Sequence, residues 1–216
     1  MGLTAFNRPA GAEGKGKQAA MHGSGRPAAP IFAACAAALG LLAGCSVSHS
    51  DRPVDPETGI LNFAQVADGL YRGGQPSAES FAKLKAMGVR TVVSLRTFDR
   101  DRRLLEGLGL KYLHISFKAG HPETEDVVAF LKTVEEPANR PVFVHCKWGT
   151  DRSGMMTAVY RIVVEGWSKE EALEEMHTMG FNEAWDSISD YVERLDVPAL
   201  HERLRESGAP SLEVVP

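Results

Sequence analysis

Eight consecutive residues, Cys146-Lys147-Trp148-Gly149-Thr150-Asp151-Arg152-Ser153, place a thiol, an ammonium, a carboxylate, a guanidinium and two hydroxyls between two apolar runs. A chain reversal needs none of these groups, since Gly, Asn and Ser suffice. Taken as a strand-to-helix turn, the segment curls its backbone N–H groups into a concave nest facing the positive end of the following helix. That field holds an anion and favours thiolate over thiol at Cys146. Arg152, six residues on, supplies a planar fork able to grip two oxygens of a phosphate. Gly149 allows close approach of the main chain, and Lys147, Trp148 and Thr150 are candidates to line the same bowl. Ser153 can donate to the sulfur and stabilise it as a leaving group. His145 either orients the cysteine or simply ends the strand. Together these groups wrap one tetrahedral oxyanion with a nucleophile beneath it.

The rest of the chain explains why a lone thiol stands out. Residues 31–45, IFAACAAALGLLAGC, form an apolar run too short to span a bilayer, preceded by Arg26, the layout of a secretory signal. Leu42-Ala43-Gly44-Cys45 resembles the bacterial lipobox, which implies lipidation at Cys45 and a membrane-anchored protein of the bacterial envelope facing the periplasm or exterior. Without lipidation the same signal implies secretion. Met21 begins a more usual signal length. Residues 1–45 are read as leader, 46–59 as flexible tether, 60–205 as the folded domain and 206–216 as a mobile tail. Cys35 and Cys45 fall in the leader, which leaves Cys146 as the body's only thiol. In an oxidising compartment such a thiol is a liability. A polar, glycine-bearing loop is a poor place to bury it.

Charge narrows the partners. Arg8, Lys15, Lys17 and Arg26, four of 24 Lys and Arg, lie in the leader with Glu13, one of 28 acids, so the body carries −7. An acidic body argues against nucleic acid and requires a concentrated local positive field to hold an anion. Without a second cysteine beside Cys146, the His145–Cys146 pair does not make a zinc site.

Several elements must position the loop. Residues 61–71 hold a short strand or two, and Arg72-Gly73-Gly74-Gln75-Pro76 is a turn whose Arg72 and Gln75 are candidates to line the site. Ser77 caps a helix that ends at Gly88. Residues 89–95, VRTVVSL, read as a strand buried on both faces. Residues 111–117 alternate as a strand, Thr124 caps a helix, and 141–145 form the strand feeding the loop. A helix over 154–166 follows it. Ser168 and Glu171 form a capping box for the next helix, and a last helix covers about 182–195. Helical and strand patterns alternate, so the fold class is α/β. It is a single domain with a central, mainly parallel sheet of four to five strands flanked by helices, and the loop lies at the carboxyl end of the last strand.

His145-Cys146, five residues, then Arg152-Ser153 resembles the signature of the cysteine-based protein tyrosine and dual-specificity phosphatases. LYRGGQPS (70–77), VVSLR (92–96) and YRIVVEGWSKEEALEEM (160–176) are similar to the bacterial envelope type and to compact plant and fungal dual-specificity members. The resemblance implies that Cys146 attacks phosphorus to give a phosphocysteine, that an acid protonates the leaving oxygen, and that water hydrolyses the intermediate. Implied substrates are phosphotyrosyl proteins, extending to phosphoseryl or phosphothreonyl ones, with inositol polyphosphates or phosphoinositides as the alternative, and the implied chemistry requires no metal or cofactor. Many members carry the acid as an Asp on a separate loop about thirty residues before the cysteine; here 114–126 holds none before Asp126. Asp151 is the first candidate acid, with a salt bridge to Arg152 as its other role, and Glu123 and His121 are alternates. A non-catalytic phosphate-binding lipoprotein is the reading from another class.

Overall fold

The computed structural model describes residues 53–216. The leader, Cys45 and the first part of the tether lie outside the described residues. Among those described, no helix is long and apolar enough to cross a membrane.

Short β-branched and apolar runs make the strands. β1 (Ala64–Ala67) and β2 (Leu70–Gly73) pair antiparallel across a turn in which Gly69 takes positive φ. β3 (Thr91–Ser94), β4 (Leu110–His114) and β5 (Val142–His145) join β2 in a parallel centre. β6 (Glu213–Val215) adds an antiparallel edge to β4. The sheet thus has six strands in the order β1-β2-β5-β3-β4-β6, one more than expected.

Successive side chains of a strand point to opposite faces, so each central strand feeds two cores. Val92 and Phe143 pack with α1 (Ala78–Ala86) and α2 (Arg102–Leu105) on one face. Val93, Val142 and Val144 pack on the other with α3 (Thr124–Glu135), α4 (Asp151–Val163), α5 (Lys169–Thr178), α6 (Asp186–Glu193) and α7 (Val197–Glu206). Ser77 caps α1 by accepting from Ser80 N–H. The Ser168–Glu171 capping box opens α5 as expected.

Three boundaries need correction. The tail read as mobile contributes β6, because Val215 is buried in the α1/α2 core and Gly107 N–H donates to Pro216 O at 2.7 Å. Three residues carry too little pattern to show this in the sequence. The tether's end is also folded: Asp55 Oδ1 accepts from both Thr58 N–H and its hydroxyl at 2.7 Å, closing a turn. Asn62 N–H then donates to Pro53 O, which ties that turn to the domain. The expected 182–195 helix starts late, since Asn182 Oδ1 first caps a turn at Ala184. Asp196 starts the separate α7 by accepting from Ala199 N–H.

Candidate active site

β5 lies between β2 and β3, so the loop after His145 emerges where both neighbours end. Leu95 N–H donates to His145 O at 2.8 Å, and Cys146 N–H to Gly73 O at 3.4 Å. The loop then doubles over the backbone of β2. Gly149 has φ +78, and a Cβ there would fall 2.5 Å from Gly73 C and Gly74 N. Only glycine fits that approach.

Cys146 Sγ sits at the base of this curl, 1% exposed. Gly149 N–H donates to it at 3.2 Å, and Ser153 Oγ lies 3.5 Å away. Burial by itself pushes the thiol up, but the Ser153 hydroxyl and N–H, the Arg152 charge and Gly149 N–H outweigh it and hold the thiol below its ordinary value. α4 begins at Asp151, three residues earlier than expected, so Arg152 and Ser153 occupy its first turn. Arg152 Nη1 donates to Leu95 O at 2.9 Å. Asp151 does not pair with Arg152; its Oδ1 accepts from Asn182 N–H at 2.9 Å.

His145 is fully buried, stacked on Phe143 at 5.7 Å between ring centroids. Its Nδ1 lies 3.3 Å from Cys146 O. Its Nε2 lies 3.3 Å from Asp101 Oδ2 without hydrogen-bond alignment. Asp101 is itself fully buried and accepts from Gln75 Nε2 at 2.6 Å. Burial would push its carboxyl up, but His145 and Gln75 hold it well below the usual carboxylate range. Burial pushes the Tyr112 phenol up, and the Asp101 and Asp99 charges push it further. Sequence reading missed Asp101: in the run Asp99-Arg100-Asp101-Arg102-Arg103 nothing separates it from its exposed neighbours.

A cavity of about 500 Å³ opens over the loop. Lys147, Trp148, Asp151 and Arg152 form one wall, Lys118 to Gly120 another, and Trp185 a third. Gly149 and Thr150, expected to line the bowl, are buried behind it and offer main chain instead. Glu123 and His121, the alternate acids, are exposed and line no part of this cavity. Among the described residues, Asp151 is the one carboxylate that lines it. A larger hollow of about 670 Å³ between α3, α6 and α7 contains no residue of the loop and is set apart from this chemistry. Arg72 and Gln75 also lie outside the cavity, Arg72 fully buried beneath the loop.

A family model described as a DSP-PTPase phosphatase fused to NAD+ kinase matches residues 56–192, which hold the sheet centre, the loop and the helices packed on it. The chain belongs to the dual-specificity protein tyrosine phosphatase family. It is a cysteine-based phosphatase. The dual specificity protein phosphatase TpbA of Pseudomonas aeruginosa is 37% identical over 150 residues, covering 68% of this chain and 67% of TpbA. The inositol diphosphatase DSP2 of Oryza sativa subsp. japonica is 30% identical over 149 residues, covering 65% of this chain and 72% of its own. The crystal structure of P. aeruginosa TpbA superposes with a TM-score of 0.61 at 35% identity, covering 72% of this chain and 96% of that one. A cysteine-to-serine variant of TpbA in complex with phosphotyrosine superposes with the same TM-score at 34% identity and the same coverage.

Proposed function

We propose that the protein hydrolyses phosphotyrosine in proteins through a phosphocysteine on Cys146. One observation carries the reading: the buried sulfur accepts Gly149 N–H and adjoins the Ser153 hydroxyl, in a loop whose Lys147, Trp148, Asp151 and Arg152 line a cavity. Arg152 grips two phosphate oxygens while the thiolate attacks phosphorus in line. As the phosphorus–oxygen bond to the leaving group breaks, Asp151 gives that oxygen its proton. Water then attacks the phosphocysteine, Asp151 takes a proton from it, and phosphate departs as the sulfur regains its electron pair. The Ser153 hydroxyl stabilises that departing thiolate. Trp148 and Trp185 give the walls an apolar face suited to an aryl group, and a TpbA structure holds phosphotyrosine.

Cys146→Ser is expected to abolish hydrolysis of p-nitrophenyl phosphate and phosphotyrosyl peptides while retaining competitive binding of inorganic phosphate. Undiminished turnover in that variant would remove the covalent reading. A second reading, an inositol polyphosphate substrate, is favoured by the inositol diphosphatase relatives and by Lys118 and Lys147 beside Arg152. Phosphate release from phosphotyrosyl peptides, phosphothreonyl peptides and inositol polyphosphates separates the two. The lipobox-like Leu42–Cys45 supports a lipid anchor in the bacterial envelope. Cys45→Ala is then expected to move the protein out of the membrane fraction, and unchanged fractionation would refute the anchor.

A further inference from the structure

The loop's carbonyls are held from the side opposite the sulfur. Four successive carbonyls each accept a donor from outside the loop. Gln75 N–H takes Lys147 O at 3.2 Å, and Asn62 Nδ2 takes Trp148 O at 2.7 Å. Arg72 Nη2 takes both Gly149 O at 2.7 Å and Thr150 O at 3.3 Å. All three donors come from the short segment around β1 and β2. In a planar trans peptide the C=O and the N–H of the next residue point in opposite directions. Holding carbonyls 147 to 150 outward therefore aims the N–H groups of 148 to 151 inward. One of the four is seen to do so: the Trp148–Gly149 peptide has its oxygen on Asn62 and its N–H on Cys146 Sγ.

Arg72 is an expensive way to hold a carbonyl. It is 2% exposed, and its Nε is buried without a hydrogen-bond partner. Such burial is costly unless something requires the group. Burial pulls its guanidinium below the ordinary value. Cys146 on the loop, Asp151 on α4 and Glu175 on α5 oppose that pull, while Arg161 on α4 adds to it. Asn62 likewise takes φ +50, the one described non-glycine residue with positive φ, a conformation Asn adopts more readily than most.

We propose that Asn62, Arg72 and the Gln75 main chain form an outer clamp, and that Arg72 is a positioning residue for phosphoryl transfer that shapes the anion nest without touching substrate. The proposal rests on the phosphatase reading of Cys146. Three variants of the full-length chain, Arg72→Met, Arg72→Lys and Asn62→Gly, test it. The readouts are the pH dependence of Cys146 alkylation by iodoacetamide, followed by peptide mapping, the inhibition of p-nitrophenyl phosphate hydrolysis by inorganic phosphate, and the thermal midpoint. Arg72→Met is expected to lower kcat/KM about a hundredfold, the scale of losing charged hydrogen bonds that set a reacting geometry. It should also move alkylation to higher pH and weaken phosphate inhibition. Arg72→Lys keeps the charge but not the shared donor, so it should restore the alkylation pH more fully than the phosphate affinity. Asn62→Gly suits the backbone and removes only the donor; a loss of about fivefold in kcat/KM is expected, the worth of one neutral hydrogen bond.

If Arg72→Met does not fold, the other two variants decide by the same readouts. Variants that melt earlier yet alkylate at the wild-type pH and bind phosphate as the wild type does would reduce Arg72 to packing and overturn the clamp. A wild-type Cys146 that alkylates only in the range of a free cysteine would instead remove the phosphatase reading, a separate failure.

Discussion

Two arginines bracket the loop from opposite sides, and their surroundings assign them opposite work. Arg72 lies beneath it, fully buried, and spends its donors on the Gly149 and Thr150 carbonyls. Arg152 belongs to the loop, is half-exposed, anchors one nitrogen on Leu95 O and borders the cavity. The same guanidinium is enclosed by protein in one case and borders an open cavity in the other. Arginine suits both because its fork fixes direction as well as charge. The carboxylates divide in the same way. Asp101 is fully buried against His145, whereas Asp151 faces the cavity with only one oxygen held by Asn182 N–H.

The sharpest way to break this contrast is Arg152→Lys. A point charge cannot replace the fork, so kcat/KM is expected to fall on the order of a hundredfold to a thousandfold. The pH of Cys146 alkylation should barely move, because the positive charge near the sulfur persists. Steady-state kinetics beside an alkylation series checks both, and near-normal turnover would erase the division of labour between the two arginines.

Asp101→Asn probes the buried side. Replacing the buried carboxylate that accepts from Gln75 Nε2 should cost about 2 kcal/mol of stability, read as a lower urea midpoint at neutral pH. The sign of the pH effect follows from the carboxyl being held below its usual range in the folded state. Its contribution is complete above the unfolded value near pH 4 and is lost as pH falls through the lower folded value. The wild type should therefore lose stability toward strong acid more steeply than the variant. Parallel acid limbs in the two proteins would show that the charge at Asp101 is not what matters.

Asp151→Asn tests the open side. Turnover of a phosphotyrosyl peptide, with its poor leaving group, is expected to drop about a hundredfold, the scale of a lost general acid. p-Nitrophenyl phosphate, whose leaving group needs little protonation, should be nearly unaffected. Equal losses on both substrates would move the acid role elsewhere. The smallest effect belongs to Lys147, which is exposed and lies over the Trp148 ring at 4.7 Å. Lys147→Ala should raise KM only a few-fold, and less so at high salt, since exposed charges contribute little. A large loss confined to inositol polyphosphates would favour the second reading of substrate.

Much of the site was legible because its chemistry is local. Cys146, Gly149, Arg152 and Ser153 occupy one eight-residue segment, so spacing alone predicts a nest with a sulfur beneath a guanidinium. The parallel sheet was legible as well, through buried runs such as VRTVVSL separated by helical patterns. The edges were not. β6 rests on a single buried valine, and the turn at Asp55–Thr58 reads as ordinary polar tether until Ile60 packs into the core.

Chain order alone thus determined which atoms could react, for covalent spacing along a short loop survives any rearrangement of the rest. Folding decided who supports them. Asn62 and Arg72 reach the loop, and Asp101 the strand end before it, from 86, 77 and 44 positions earlier in the chain, and no periodicity links residues so far apart. Their roles depend on burial and direction, which exist only once β2, β5 and β3 lie side by side. The same step set Asp151 in the cavity wall and left Glu123 and His121 outside it, because chain order does not say which side chains border a cavity.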